Sequence, residues 1–218
     1  MIRYVATLLF AFSAVALGAS GNISKVNSSI RVDDGGQAGD VSTVNGSITI
    51  GRNASVREVD TVNGSIRLDE RARAESVETV NGGVTLGEGV LVSEDVSAVN
   101  GKLTVRRGAR VGGRLENVNG EFLLVGATVG AGIETVNGDI VVGAGSRVDG
   151  GVTVEDSNSW KWRAKSRNPR LTIESGAVVN GPLRFEREVD LYLGDGAVIG
   201  PVEGVEPRRY TIGVADAG

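Results

Sequence analysis

Two groups of residues in this 218-residue chain have the types and spacing that chemistry asks for. The first is the segment Glu155-Asp-Ser-Asn-Ser-Trp160-Lys161-Trp162-Arg163-Ala-Lys165-Ser-Arg167-Asn-Pro169-Arg170, which holds both tryptophans of the chain interleaved with basic residues. In an extended backbone Trp160 and Trp162 share a face. Their flat rings suit stacking on sugars, and Lys161, Arg163, Lys165, Arg167 and Arg170 suit the phosphate or carboxylate of an envelope polysaccharide or lipid headgroup. The opposing reading is that the tryptophans cover an apolar flank while the charges solvate a loop. The second group is the acidic pairs Asp33-Asp34, Glu94-Asp95 and Glu155-Asp156. Paired carboxylates serve calcium binding and glycoside cleavage. None of these pairs recurs in a register that stacks several carboxylates, so each reads as solvated surface.

The missing residue types narrow the chemistry further. With no His, the usual metal ligand and the usual general base near neutral pH are absent, and with no Cys there is no disulfide or thiol chemistry. No lysine-serine phosphate loop and no glycine-aspartate calcium repeat is present, so no cofactor and no metal is expected and no residue is assigned a catalytic role. A formal charge of −4 with basic and acidic residues intermixed does not point to nucleic acid.

What must position the aromatic-basic segment is a repeat. Val26-Asn27-Ser28-Ser29-Ile30 returns as Val44-Asn45-Gly46-Ser47-Ile48, and the same unit recurs around Asn63, Asn81, Asn100, Asn119 and Asn137. In the coil from Asn45 the apolar positions are Ile48, Ile50, Val56, Val59 and Val62. In the coil from Asn100 they are Leu103, Val105, Val111, Leu115 and Val118. Ile-x-Ile alternation is a strand with one buried face, and no three-and-four spacing supports a helix. A short unit of this kind cannot bury its apolar face alone but forms a continuous core when stacked. The expected fold is therefore all-β, a single-stranded parallel β-helix (β-solenoid) of about 18 residues per coil. A right-handed helix is favoured, because an apolar residue at the fourteenth offset and longer coils break strict sixfold order.

Each coil should turn at Asn-Gly, with Asn and Gly taking the left-handed conformation. Stacking then aligns Asn27, Asn45, Asn63, Asn81, Asn100, Asn119 and Asn137 in a structural ladder of side-chain amides. Thr43, Thr61, Thr79 and Thr135 also align, but Ala98 and Asn117 interrupt them, which argues against an ice-binding array. A second template, Leu103-Thr-Val105-Arg-Arg-Gly108-Ala109-Arg-Val111, returns at Leu171 and Leu191 and carries the solenoid past the aromatic-basic segment. Upstream, Arg3 precedes an apolar run from Tyr4 to Leu17 with small residues behind it, as in a secretory signal peptide. The organisation expected is a signal peptide at 1–19, a parallel β-helix at 20–205 with an inserted loop at 155–170, and a C-terminal cap or tail at 206–218.

The Val-Asn-Gly-Ser-Ile units resemble the bacterial adhesin-type β-strand-repeat family, over about Val26 to Val142. The Gly-Ala-x-Val-x-Gly template at Gly108–Gly112 and Gly176–Gly181 is similar, less closely, to the polymer-forming bactofilins. The first resemblance implies an exported solenoid. The second implies self-assembly, although bactofilins lack the signal peptide read here. Two enzyme classes share such folds. Hexapeptide acyltransferases need a His that this chain lacks, and pectin-cleaving β-helices need clustered carboxylates. The expectation is a non-enzymatic exported protein of the periplasm or cell surface, a scaffold or adhesin presenting the Trp160–Arg170 loop to an envelope glycan or protein. It would not be an integral membrane protein after signal cleavage. The alternatives are end-to-end self-association into a polymer and a carbohydrate-active enzyme.

Overall fold

In the computed structural model, residues 21–156 and 167–212 are described. The proposed signal peptide and residues 213–218 of the C-terminal segment lie outside them. The described residues are all β, wound as a solenoid of about nine turns with no helix among them. Among the described residues the coils build three parallel sheets, of ten, ten and seven strands, the first coils reaching the third sheet only through isolated bridges at Gln37 and Ser55. The first sheet runs through Val41–Asn45, Glu58–Asn63, Ser76–Asn81, Val96–Asn100 and Arg114–Asn119. The second, entered at the Asn-Gly corner, runs through Ile48–Ile50, Ile66–Leu68, Val84–Leu86, Leu103–Val105 and Glu121–Leu124. The third consists of two-residue strands such as Arg73–Ala74, Leu91–Val92 and Arg110–Val111.

The register is residue on equivalent residue. Val41 pairs with Val59, Val59 with Val77, and Val77 with Val96, so coils run 18 or 19 residues. Stacked Val59, Val77, Leu115 and Ile133, with Ile48, Ile66, Leu103 and Phe122 facing them, make one buried column of aliphatic side chains. Each such side chain contributes about 1.5–3 kcal/mol by leaving water. Where the second sheet bends into the third, the stacked buried position holds Ala54, Ala72, Val90, Ala109, Ala127 and Ala177.

Two expectations are corrected by the fold. First, no ladder Asn has positive φ, and the corner glycines Gly82 and Gly101, at φ +158° and +156°, are close to extended. A column of left-handed residues stacks instead at the bend between second and third sheets, as Gly35, Asn53, Arg71, Gly89, Gly108, Gly126, Gly145, Gly176 and Gly196, with φ between +55° and +71°. The Asn-Gly glycine is required by close approach instead. A Cβ on Gly64, Gly82, Gly101 or Gly120 would run into the carbonyl oxygen of the glycine one coil below. Second, Val62 and Val118 do not enter the core. Strand alternation turns Thr61 inward and leaves the valine half-exposed on the outer face. Within the segment expected as a cap or tail, Arg208–Ile212 adds a further parallel strand to the second sheet. There Arg209 and Thr211 take the register positions of Leu191 and Leu193. The last rung thus carries polar residues where earlier coils carry core.

The inward threonines explain how the tight corner satisfies its carbonyls. Thr43, Thr61 and Thr79 are buried, and each Oγ1 donates to a corner carbonyl of the previous coil, Ser28, Gly46 and Gly64, at 3.0–3.1 Å. Asn117 does the same through Nδ2 to Gly101 at 2.6 Å. A buried carbonyl left unpaired costs about 1–3 kcal/mol, so this column belongs to the corner and not to a surface array.

Candidate functional site

The expected binding segment replaces an Asn-Gly corner. Its chain leaves the first sheet after Val152–Val154 and re-enters the second at Arg170–Ile173. Val152 still pairs with Leu183, 31 residues later, so the described coils on either side of the segment remain stacked in register. Trp160, Lys161, Trp162, Arg163 and Lys165 lie outside the described residues. Arg167 and Arg170 lie within them, and both are engaged by the solenoid. Arg167 Nη2 meets Asp139 Oδ2 at 2.7 Å, and the Arg170 amide donates to Asp139 Oδ1 at 2.9 Å. This hydrogen bond raises the Arg167 pKa above its ordinary value. The Arg170 guanidinium rests over the Tyr192 ring at 4.9 Å from its centroid, and Tyr192 stacks on Tyr210 at 4.6 Å. On the same foot Asn168 Nδ2 donates to Glu188, and at the other foot the Asp156 amide donates to Glu186 Oε2 at 3.1 Å. The first foot is therefore tied to the following coil, and the second to both the preceding and the following coils.

The Asn column runs directly up to this excursion. Asn45, Asn63, Asn81, Asn100, Asn119 and Asn137 each donate Nδ2 to the Oδ1 of the Asn below, ending on Asn27, at 2.8–3.1 Å. The next corner is the loop, which brings no Asn. Arg187, one coil further on, donates Nη1 to Asn137 Oδ1 at 2.8 Å and closes the ladder. The orientation is uniform, so every amide donates downward and accepts from above. Chains of aligned amides polarise one another and rigidify the corner.

The acidic pairs read from the sequence act as clips between coils. Asp34 holds Arg52 at 2.8 Å, which keeps its carboxyl below the usual range, and Asp95 accepts from the Arg114 amide at 2.7 Å. A different carboxylate set, unmarked by adjacency, does stack. Asp60 and Glu78 are register partners on the outer face of the first sheet, as are Glu116 and Glu134 higher up. All four stand three residues before a ladder Asn, a fixed offset that was available in the sequence. A sequence reading that weighs only the adjacent pairs does not single out this set. Burial pushes Asp60 up to about 7, with Glu78, Glu58 and Asp40 adding repulsion. Burial raises Glu78 as well, and raises Glu116 with help from Glu134 and Asp95 against the opposing Arg114. Half-exposed Val62, Val80, Val99 and Val118 run alongside this column. Among the described residues no group of three or more His, Cys, Asp or Glu surrounds a metal position.

A shallow polar groove lies on the other side of the molecule, lined by Arg31, Arg52, Arg67 and Arg106 with Asp34, Asp69, Glu70 and Glu88. Its charges largely pair internally, Arg52 with Asp34 and Arg67 with Asp69. Compared with protein-family models, curated proteins and solved structures, the chain matches none.

Proposed function

We propose that this chain is a non-enzymatic exported scaffold of the cell envelope or surface, adhesin-like in that a rigid stack presents the 155–170 loop to a glycan or protein partner. The observation that carries this reading is the placement of the loop. It stands at the one corner where the Asn ladder stops, and both its feet are fastened to neighbouring coils. A rigid frame of this kind positions an irregular segment without deforming as the segment binds. The Tyr192–Tyr210 stack beside Arg170 extends the same aromatic and basic character onto the solenoid wall. The resemblance to the adhesin-type repeat family supports export, as does the apolar run behind Arg3. A glycan array probed with the wild type and with a Trp160→Ala/Trp162→Ala variant tests the reading. Binding that the variant loses supports it, and no binding by the wild type, or equal binding by both, removes it.

One observation favours the carbohydrate-active reading, namely Asp60 held near neutrality beside Glu78. A carboxyl that keeps its proton toward neutral pH beside a second carboxyl is the kind of pair that glycoside cleavage uses. Product release from acidic polysaccharides that disappears in Asp60→Asn would establish this activity in place of the scaffold.

A further inference from the structure

The charges left unpaired by the coil-to-coil clips fall on opposite sides of the molecule. Among the described residues, Arg71, Arg73, Arg106, Arg107 and Arg110 make no side-chain hydrogen bond or ion pair with the protein. All five are exposed and sit at the bend between second and third sheets or on the third sheet, where Arg73, Leu91 and Arg110 are stacked register partners. Glu70 and Glu88 are the acidic residues beside them, so the ridge is net basic. In a three-sided coil this bend lies opposite the first sheet. That sheet's outer face carries Glu58, Asp60 and Glu78 without ion-pair partners, Asp40 paired with Arg57, and Glu116 and Glu134 near Arg114. It is net acidic, with half-exposed valines beside the carboxylates. On the ridge, Leu91 is 38% exposed.

We propose that the solenoids associate side by side, the basic ridge of one copy lying on the acidic face of the next with their axes parallel. A second copy fits this face better than an unrelated cationic chain for a geometric reason. Ridge and face share one repeat, a coil rise of roughly 4.8 Å, so side chains brought into register at one coil stay in register along several. Two acidic faces would repel each other, which excludes a face-to-face dimer. The end of the stack offers a poorer contact, because Arg209 and Thr211 occupy core-facing positions of the final rung and Arg209 pairs with Glu206. Ridge on face is a heterologous contact, and repeating it gives a ribbon and not a closed ring. This inference does not depend on what the loop binds.

Sedimentation velocity of the purified chain at low and high salt tests it. The contact is made of surface charges, whose range falls from about 30 Å at 0.01 M salt to about 3 Å at 1 M. The weight-average mass should exceed the monomer's by on the order of twofold or more at low salt and return to the monomer at high salt. Arg73→Glu/Arg110→Glu removes the basic ridge, and Glu58→Lys/Glu78→Lys reverses the acidic face, so each variant alone should sediment as a monomer. An equimolar mixture of the two restores complementary surfaces and should associate again. That recovery also shows that neither variant has merely unfolded. A wild type that stays monomeric at low salt, or a mixture that does not recover, overturns the proposal. Association that persists unchanged in both variants does so too, and would assign the contact to the solenoid ends.

Discussion

Asp60→Asn should make this protein more stable at alkaline pH, the reverse of the usual cost of deleting a native side chain. Asp60 is half-buried on a sheet face beside Glu78, with Glu58 and Asp40 nearby, and its pKa stands at about 7 against an ordinary 3.8. The folded state therefore holds a proton that the unfolded chain has released between those two values, and stability falls as pH rises through that window. A gap of about three units at about 1.36 kcal/mol each sets a ceiling near 4 kcal/mol. The carboxylate still touches solvent, which screens it, so about 1–2 kcal/mol is the expected share. Asn keeps the shape and removes the charge. Urea unfolding at pH 4.5 and pH 8 measures the difference. The variant should gain about 1–2 kcal/mol at pH 8 and almost nothing at pH 4.5, where Asp60 is already protonated in the fold. An equal effect at the two pH values, or a loss at pH 8, would refute the argument.

The two glycine corners should respond differently to a methyl group. Gly101→Ala drives a Cβ into the Gly82 carbonyl and should cost about 3 kcal/mol or prevent folding, whereas Gly108→Ala has room and should lose only the left-handed penalty of about 1–2 kcal/mol. Thermal unfolding of the pair decides this, and similar losses would contradict it. Arg71 holds φ +56° where most coils place glycine, so Arg71→Gly should raise stability by up to about 1 kcal/mol in the same assay, and a clear loss would show that the Arg71 side chain contributes more than its backbone strain costs. Asn100→Ala removes one ladder bond on each side at an exposed corner and should cost about 1–2 kcal/mol in urea unfolding, with no measurable change speaking against a ladder that stabilises.

The stack itself was legible because its signal is periodic and redundant. The interval between Asn27, Asn45 and Asn63 defines the coil, and Ile48-x-Ile50 with its equivalents marks the buried face of each strand. The roles of single positions were harder to read. Val62 sits in the most regular part of the motif yet faces outward, because Thr61 is needed inside to satisfy the Gly46 carbonyl. Gly64 looks like a left-handed turn residue, and only the carbonyl one coil below shows that it is there to avoid a clash. Asp60 and Glu78 escaped notice because they are distant in sequence. Adjacent acidic residues on a strand point to opposite faces, whereas residues one coil apart share a column. Tyr192 and Tyr210 were hidden differently. The final rung has Arg209 and Thr211 where the template has leucine, so its hydrophobic pattern is lost although its pairing is kept.

The central claim is that the 155–170 segment is an excursion from a stack that otherwise continues in register. The chain contains no cysteine, so an engineered disulfide has no background. Thr153 and Arg184 are register partners across the insertion, and neighbouring parallel strands place such partners roughly 4.8 Å apart, within disulfide reach. Thr153→Cys/Arg184→Cys should cross-link nearly completely on mild oxidation while keeping the wild-type circular dichroism. Thr153→Cys/Phe185→Cys, whose second position points into the core, should not. Cross-linking in the second pair and not in the first would mean that the coils on either side of the loop are not stacked as described.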